Sequence, residues 1–144
     1  MADYKDTIIK VVGERVTSDK WKVKTGKHEI LLTKGGIDSP SPIQCLLAAL
    51  AGCLQSIGEL VAEEMGITIE DLKVEIEGTF NPGRVHGEGN QRAGLKEIKV
   101  KMRIKSSCSD EETLKRWLKN IEERCPVSDN LANPTPIKIN FERF

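Results

Sequence analysis

One long apolar helix constrains the fold of this chain more than any other feature. It contains the run LLAALAGCLQS and has clear signals at both ends. Ser41 is a preferred N-cap, Pro42 suits the first helical position, and Gln44 can return a hydrogen bond to Ser41 in a capping box. Gly66 is a natural C-terminal stop. The sequence therefore predicts a helix over residues 42–65, about 36 Å long at about 1.5 Å per residue.

The apolar residues of this helix cover more than one face. One set forms an inward stripe at helical spacing: Leu46, Leu50, Cys53, Ile57 and Leu60. A second set lies off that stripe and is also apolar: Leu47, Ala48, Ala51 and Leu54. A helix that is apolar all round needs burial on every side, which a thin two-layer domain hardly supplies. We infer a homodimer in which this helix lies near the interface and both chains line a site.

Segments with strand character precede and follow this helix. They are residues 7–16, 20–25 and 28–33 before it, then 72–80 and 95–105, with a last strand over 137–141. A second helix begins after Ser109 as N-cap and ends before Pro126, and PVSDNLA forms a further short helical turn. The order of these elements predicts an α+β fold in a single domain spanning residues 1–144.

The charge balance excludes several classes of function. The chain has twenty-two basic and twenty-two acidic residues and so no net charge, which leaves no electrostatic basis for binding nucleic acid or a membrane surface. The start MADYKDTIIK carries charges where a secretion signal needs an apolar core, and no eighteen apolar residues run together. We expect a soluble cytoplasmic protein that acts on small molecules or protein partners.

The four cysteines carry the chemical information in the sequence. Cys45, Cys53, Cys108 and Cys125 include no closely spaced pair, which argues against a zinc site, and the two histidines do not change this. A reducing compartment also argues against a structural disulfide. Two interpretations remain for each thiol, inert packing or redox chemistry. We interpret Cys45 and Cys108 as packing residues.

The second helix directs another thiol inward. Its apolar stripe comprises Leu114, Trp117, Leu118 and Ile121, and Cys125 continues it. If the two helices bury their stripes together, Cys53 and Cys125 come close to one another. Pro126 can also begin a new helical turn, whose free N–H groups favour a thiolate. Between the strands at 72–80 and 95–105, a glycine-rich stretch over residues 82–94 is predicted to be a mobile loop, as a lid or as a plain hairpin connection with His86 exposed.

Two motifs bear a family resemblance. SPIQCLLAALAGC resembles the helix entry of the OsmC/Ohr family (osmotically inducible and organic hydroperoxide resistance proteins), and RCPVSDNL resembles its second cysteine motif. The resemblance implies an intertwined homodimer with antiparallel sheets packed around two long helices per chain. It also implies a thiol-dependent peroxidase for organic hydroperoxides with Cys53 as peroxidatic and Cys125 as resolving thiol. An external dithiol would reduce the pair, and neither a metal nor another cofactor is expected.

The family's more active peroxidases also hold the thiolate with an arginine from the N-terminal strands and a glutamate after the helix-entry proline. Arg15 is the best match for the arginine, and a solvated strand charge is its alternative interpretation. The glutamate is absent, because Ile43 and Gln44 follow Pro42. The Gln44 amide can orient a ligand or a cation without neutralising it, so Gln44 is the candidate substrate-binding residue.

Three hypotheses about function follow. The first is a peroxidase in oxidative or osmotic stress defence that uses Cys53, Cys125 and Arg15. The second is a non-enzymatic OsmC-like protein that binds a small ligand or acts in stress, with weak or no peroxidase activity. The third treats all four cysteines as inert filler in a dimeric structural protein.

Overall fold

The computed structural model describes residues 2–144, which form two compact units. The first unit extends to Leu46, and the second comprises Leu47–Phe144. Antiparallel sheets and three α-helices make up the fold, so the α+β class predicted from the sequence is confirmed. The organisation of residues 1–144 as one domain stays a prediction.

The first unit contains a three-stranded antiparallel meander. Its strands are β1 (Val11–Thr17), β2 (Lys20–Thr25) and β3 (His28–Thr33), in the order β1-β2-β3. The strand predicted from residue 7 begins only at Val11. Val11 pairs with Thr25, which is the last residue of β2 before the turn to β3. Residues 7–10 therefore have no pairing partner in β2, and Ile8 and Ile9 are exposed.

The long helix, α1 (Pro42–Glu64), has the ends that its sequence predicts. The Ser41 N–H donates to Gln44 Oε1 at 2.9 Å and the Gln44 N–H donates to Ser41 Oγ at 3.2 Å, which is the reciprocal pattern of a capping box. At the other end Gly66 adopts φ +69°, and the Ile67 N–H donates to the Ala62 carbonyl at 2.8 Å. This left-handed turn ends the helix in the manner of a Schellman motif.

The second unit places a two-stranded sheet against the helices. β4 (Ile69–Thr79) and β5 (Glu97–Ser106) pair antiparallel, with Val74 opposite Met102. Their apolar side chains alternate with exposed charged ones, and most of them pack on the core, as the alternation in the sequence predicts.

Two further helices follow the sheet. α2 (Glu111–Arg124) begins one residue later than predicted, because the Asp110 carboxylate and not the Ser109 hydroxyl accepts the Thr113 N–H. α3 (Pro126–Ala132) follows at once, as the proline signal predicts.

The predicted strand over residues 137–141 is wrong for this chain by itself. Residues 134–144 have no regular structure, and Ile137, Ile139 and Phe141 are exposed. A strand needs a neighbouring edge to satisfy its backbone N–H and C=O groups. Within residues 2–144 the IKINF segment pairs with no such edge, so its alternating pattern remains without a sheet.

The core of the second unit forms where α1 meets α2. Trp117 and Ile121 pack on Gly58, and the Trp117 indole N–H donates to the Gly58 carbonyl at 2.9 Å. A Cβ on Gly58 would lie 3.2 Å from the Trp117 ring, so the missing side chain allows the two helices to approach closely.

This contact selects the buried face of α1 and corrects the predicted stripe. The buried residues are Leu50, Leu54, Gly58, Val61 and Ala62, whereas Leu46 and Leu60, predicted to face inward, are exposed. Leu54, predicted to lie off the inward stripe, is buried.

By length and composition alone, α1 would also qualify as a membrane-spanning helix, with a mean hydropathy of 1.7 over its most apolar window. The central helix of a folded core satisfies the same criterion, and one face of α1 contributes to the hydrophobic core described above. Hydropathy therefore gives only weak evidence for a membrane.

Candidate active site

Two cysteine thiols meet in the core of the second unit. Cys53 lies in the middle of α1, and Cys125 lies between α2 and α3, where it is both the C-cap of one helix and the N-cap of the other. The Cys125 thiol donates a hydrogen bond to Cys53 Sγ, with 3.0 Å between the sulfur atoms. Both thiols are free. The proximity inferred from the two apolar stripes is therefore present in the fold.

Cys125 is enclosed, and two backbone hydrogen bonds orient it. Cys125 is only 1% exposed, and its backbone N–H donates to the Ile121 carbonyl at 3.0 Å. The Ser128 N–H, in the first turn of α3, donates to Cys125 Sγ at 3.4 Å. The sulfur is thus shielded from solvent while its direction toward Cys53 is maintained.

The Cys53 side chain is less enclosed, being half-buried against the hydrophobic core. Burial raises the pKa of the Cys53 thiol above its ordinary value, and the backbone N–H of Val127 acts in the opposite direction. Burial disfavours the charged thiolate, so this environment by itself makes Cys53 less nucleophilic at neutral pH.

The other two cysteines have separate surroundings. Cys45 is half-buried in the first turn of α1, and Cys108 is half-buried at the edge of the core, where its thiol donates to the Asp110 carbonyl at 3.8 Å. Within residues 2–144, no three His, Cys, Asp or Glu side chains are grouped so that they could hold a metal ion.

Arg15 and Gln44, the two other predicted site residues, belong to the first unit. Arg15 is exposed on β1 and pairs with Trp21 of β2. The side-chain oxygen of Gln44 accepts the Ser41 N–H, so part of its amide already serves to cap α1. Their roles beside the cysteines stay predictions.

The predicted mobile loop contains its own hydrogen bonds. A short 3₁₀ turn, Pro82–Arg84, is capped by the Asn81 side chain, which also accepts a hydrogen bond from Gln91 at 3.1 Å. The Arg84 guanidinium donates to the Gly89 carbonyl at 3.0 Å, and His86 is exposed as predicted. The mobility of the loop, and its role as a lid or as a plain connection, stay predictions.

The sequence did not predict an ion pair that joins the end of α2 to the end of α1. Arg124, the residue before Cys125, forms two hydrogen bonds with the Glu64 carboxylate at 2.6 and 2.9 Å. The Arg124 guanidinium lowers the pKa of Glu64. The two residues lie sixty positions apart, so no local pattern in the sequence links them.

The arrangement of the two sulfurs is suited to reversible oxidation. A disulfide bond is about 2.05 Å long, so the two Sγ atoms need to approach by only about 1 Å. One sulfur is half-buried and the other is enclosed, which gives an oxidant from solvent better access to Cys53 than to Cys125. The fold and this site define a dithiol protein built on an α+β scaffold.

Comparison with known proteins identifies the family. The family model described as OsmC-like protein matches residues 34–140, which include Gln44, Cys53 and Cys125 but not Arg15. A hydroperoxide reductase of Mycoplasma pneumoniae is 30% identical over 99 residues, which cover 69% of this chain and 67% of that protein. The chain belongs to the OsmC-like family, as the two sequence motifs indicated.

Solved structures show the same fold. The OsmC-like protein from Mycoplasma pneumoniae matches with a TM-score of 0.78 at 23% identity, covering 90% of this chain and 91% of that one. The organic hydroperoxide resistance protein of Bacillus subtilis matches with a TM-score of 0.59 at 19% identity, covering 89% and 93% of the two chains. Both likenesses support the fold.

The different exposure of the two thiols leads to the first prediction. Iodoacetamide should alkylate Cys53 in the folded protein at least about tenfold faster than Cys125, because a buried thiol reacts only when the structure opens locally. Mass spectrometry of peptides after timed quenching measures both rates, and a sample unfolded in guanidinium serves as control, in which the two rates should converge. Faster labelling of Cys125 in the folded protein would contradict the structure.

Proposed function

We propose that this protein is a thiol-dependent peroxidase that reduces organic hydroperoxides in defence against oxidative or osmotic stress. The observation that supports this most strongly is the 3.0 Å separation of the Cys53 and Cys125 sulfurs. Membership of a family that includes proteins named hydroperoxide reductase agrees with it.

In the first step, the Cys53 thiolate attacks the terminal oxygen of the hydroperoxide. A new S–O bond forms and the O–O bond breaks. The alkoxide that leaves takes up a proton and departs as an alcohol, and Cys53 becomes a sulfenic acid, oxidised by two electrons. Cys53 is assigned this role because its sulfur is more accessible than that of Cys125.

In the second step, the Cys125 sulfur attacks the sulfenic sulfur of Cys53. The S–O bond breaks, water leaves and a disulfide joins the two residues. An external dithiol then reduces this disulfide by thiol–disulfide exchange and becomes oxidised itself, which restores both thiols. The cycle is balanced in electrons without a metal or another cofactor.

The surroundings of Cys53 favour an apolar substrate. Its side chain packs against the hydrophobic core. The alkyl group of an organic hydroperoxide can make apolar contacts there, whereas hydrogen peroxide has no such group. We assign substrate binding to Gln44 as part of the proposal, since its amide NH₂ group remains available when its oxygen caps α1.

The proposed place of action is the cytoplasm. Four free cysteines suit a compartment in which thiols stay reduced and an external dithiol is at hand. Equal numbers of basic and acidic residues give no electrostatic reason for a nucleic-acid or membrane partner.

A thiol titration tests the peroxidase. One equivalent of cumene hydroperoxide should remove two of the four thiols of the wild-type chain, because Cys53 and Cys125 become a disulfide while Cys45 and Cys108 remain. The thiols are counted with Ellman's reagent under denaturing conditions. Cys53→Ser should lose none, and Cys125→Ser should stop at a sulfenic acid that dimedone traps.

Cys108→Ser is the matched control for that titration and should still lose two thiols. If the wild-type chain keeps all four thiols, the alternative function is favoured: a non-enzymatic OsmC-like protein that binds a small ligand. One observation already supports that alternative, since Ile43 and Gln44 stand where the family's more active peroxidases have a glutamate. Loss of thiols that does not depend on Cys53 would also contradict the peroxidase proposal.

The proposed role of Arg15 is to favour the Cys53 thiolate. Burial raises the pKa of Cys53, and a nearby cation would lower it again. In Arg15→Gln the rate of Cys53 oxidation should therefore level off at a higher pH than in the wild type, because the cation no longer opposes the effect of burial on the pKa of Cys53. Stopped-flow kinetics with cumene hydroperoxide measure both profiles, and Arg84→Gln is the control. Identical profiles for the wild type and Arg15→Gln would exclude this role.

We also propose that the chain forms an intertwined homodimer. Apolar residues remain exposed before β1, on α1 and in the C-terminal segment: Ile8, Ile9, Leu46, Leu60, Ile137, Ile139 and Phe141. The IKINF segment has the alternation of a strand but pairs with no sheet in residues 2–144 of its own chain. A second copy would supply both the missing strand partner and the missing apolar cover.

Sedimentation equilibrium tests the dimer. The wild-type protein should have twice the chain mass of 16.0 kDa. Ile139→Asp combined with Phe141→Asp should shift it toward the monomer, because the charges would have to be buried at the interface. Val85→Asp changes an exposed apolar residue outside these segments and should leave the mass unchanged. A monomeric wild-type protein at micromolar concentration would refute the proposal.

A further inference from the structure

Two adjacent residues at the end of α2 attach it to α1 at two separate points. Cys125 contacts Cys53, and Arg124 contacts Glu64. Cys53 and Glu64 are eleven residues apart on α1, which corresponds to about 16 Å along the helix. The junction between α2 and α3 is thus held across about three turns of α1.

The junction between α2 and α3, at Arg124 and Cys125, lies at a helix end, where additional contacts limit opening of the backbone. Arg124 is the last helical residue of α2, and Cys125 leaves the helix with φ −79° and ψ 110°. Helix ends fray because their last carbonyl groups lack intrahelical partners. Opening of this last turn would move Cys125 Sγ away from Cys53, since Cys125 depends on the Ile121 carbonyl for its own N–H bond.

The Arg124–Glu64 contact has the geometry to resist this movement. Two parallel hydrogen bonds of 2.6 and 2.9 Å fix the direction of the guanidinium as well as its distance. Both side chains are more than a third exposed, so the pair contributes little to global stability. Its importance lies in its position next to Cys125.

We propose that Arg124 and Glu64 form a positioning pair that keeps Cys125 within bonding reach of Cys53 during the redox cycle. The inference rests on the proposed function. The Cys53 sulfenic acid has two fates, condensation with Cys125 or a second oxidation to sulfinic acid by another hydroperoxide. By raising the effective concentration of Cys125 at Cys53, the pair favours the disulfide and protects Cys53 from overoxidation.

The reduction potential of the Cys53–Cys125 disulfide tests this role. In glutathione redox buffers, Arg124→Gln and Glu64→Gln should each lower the equilibrium constant for forming the Cys53–Cys125 disulfide about threefold to fivefold. At 29.6 mV per tenfold change, the potential becomes more positive by about 14–21 mV. Arg124→Lys keeps the charge but loses the bidentate contact. Its reduction potential should therefore lie between those of the wild type and Arg124→Gln. The double variant Glu64→Arg with Arg124→Glu exchanges the two charges, and its reduction potential should return part of the way to the wild-type value.

A matched control comes from the same helix. Glu112 and Lys115 form an exposed ion pair at 3.3 Å within α2 that does not reach α1. Glu112→Gln therefore removes an interaction of the same class and should leave the potential unchanged. Concentrated salt should reduce the difference between the wild type and Arg124→Gln, because it screens exposed charges.

Overoxidation provides a second measurement. Under excess cumene hydroperoxide, mass spectrometry should show about threefold more Cys53 sulfinic acid in Arg124→Gln than in the wild type or in Glu112→Gln. Equal potentials and equal sulfinic fractions in Arg124→Gln and Glu112→Gln, with a wild-type chain that forms the disulfide, would overturn the inference alone. A wild-type chain that forms no Cys53–Cys125 disulfide in any buffer would refute the proposed function itself.

Discussion

The close crossing of α1 and α2 at Gly58 is the contact on which the rest of the site depends. Because Gly58 has no side chain, the Trp117 indole reaches its carbonyl and Ile121 packs beside it. Cys125 follows one helical turn after Ile121, so the same crossing directs its sulfur toward Cys53. The dithiol is a consequence of helix packing, which explains how two residues seventy-two positions apart meet at 3.0 Å.

Burial has opposite effects on the proposed chemistry. It shields the sulfurs from solvent, favours an apolar oxidant and holds Cys125 in place, yet it also raises the pKa of Cys53 and so reduces the thiolate fraction. The Val127 N–H offsets part of this effect, and the proposed contribution of Arg15 would offset more. In the proposed mechanism the Cys53 thiolate therefore depends on such groups, because Ile43 and Gln44, which follow Pro42, carry no charge.

Prediction from the sequence succeeded where the signal was local. The capping box at Ser41 and Gln44 and the turn at Gly66 were found, because each depends on backbone groups within a few residues. It failed for the strand over residues 137–141, because alternation shows that a segment can form a strand but does not supply a neighbouring edge. The Arg124–Glu64 pair was missed for the same physical reason, since its partners meet only through packing.

Local sequence signals were enough to predict the capped ends of α1, the proline at the start of α3 and the apolar faces of β4 and β5. These properties follow from hydrogen bonds and periodicities that span a single element. Helix packing, and no pattern within one element, decided that Leu50, Leu54 and Val61 are buried while Leu46 and Leu60 are exposed. It also decided that the sulfurs of Cys53 and Cys125 lie 3.0 Å apart, because both results depend on the distance at which Gly58 allows two helices to pack.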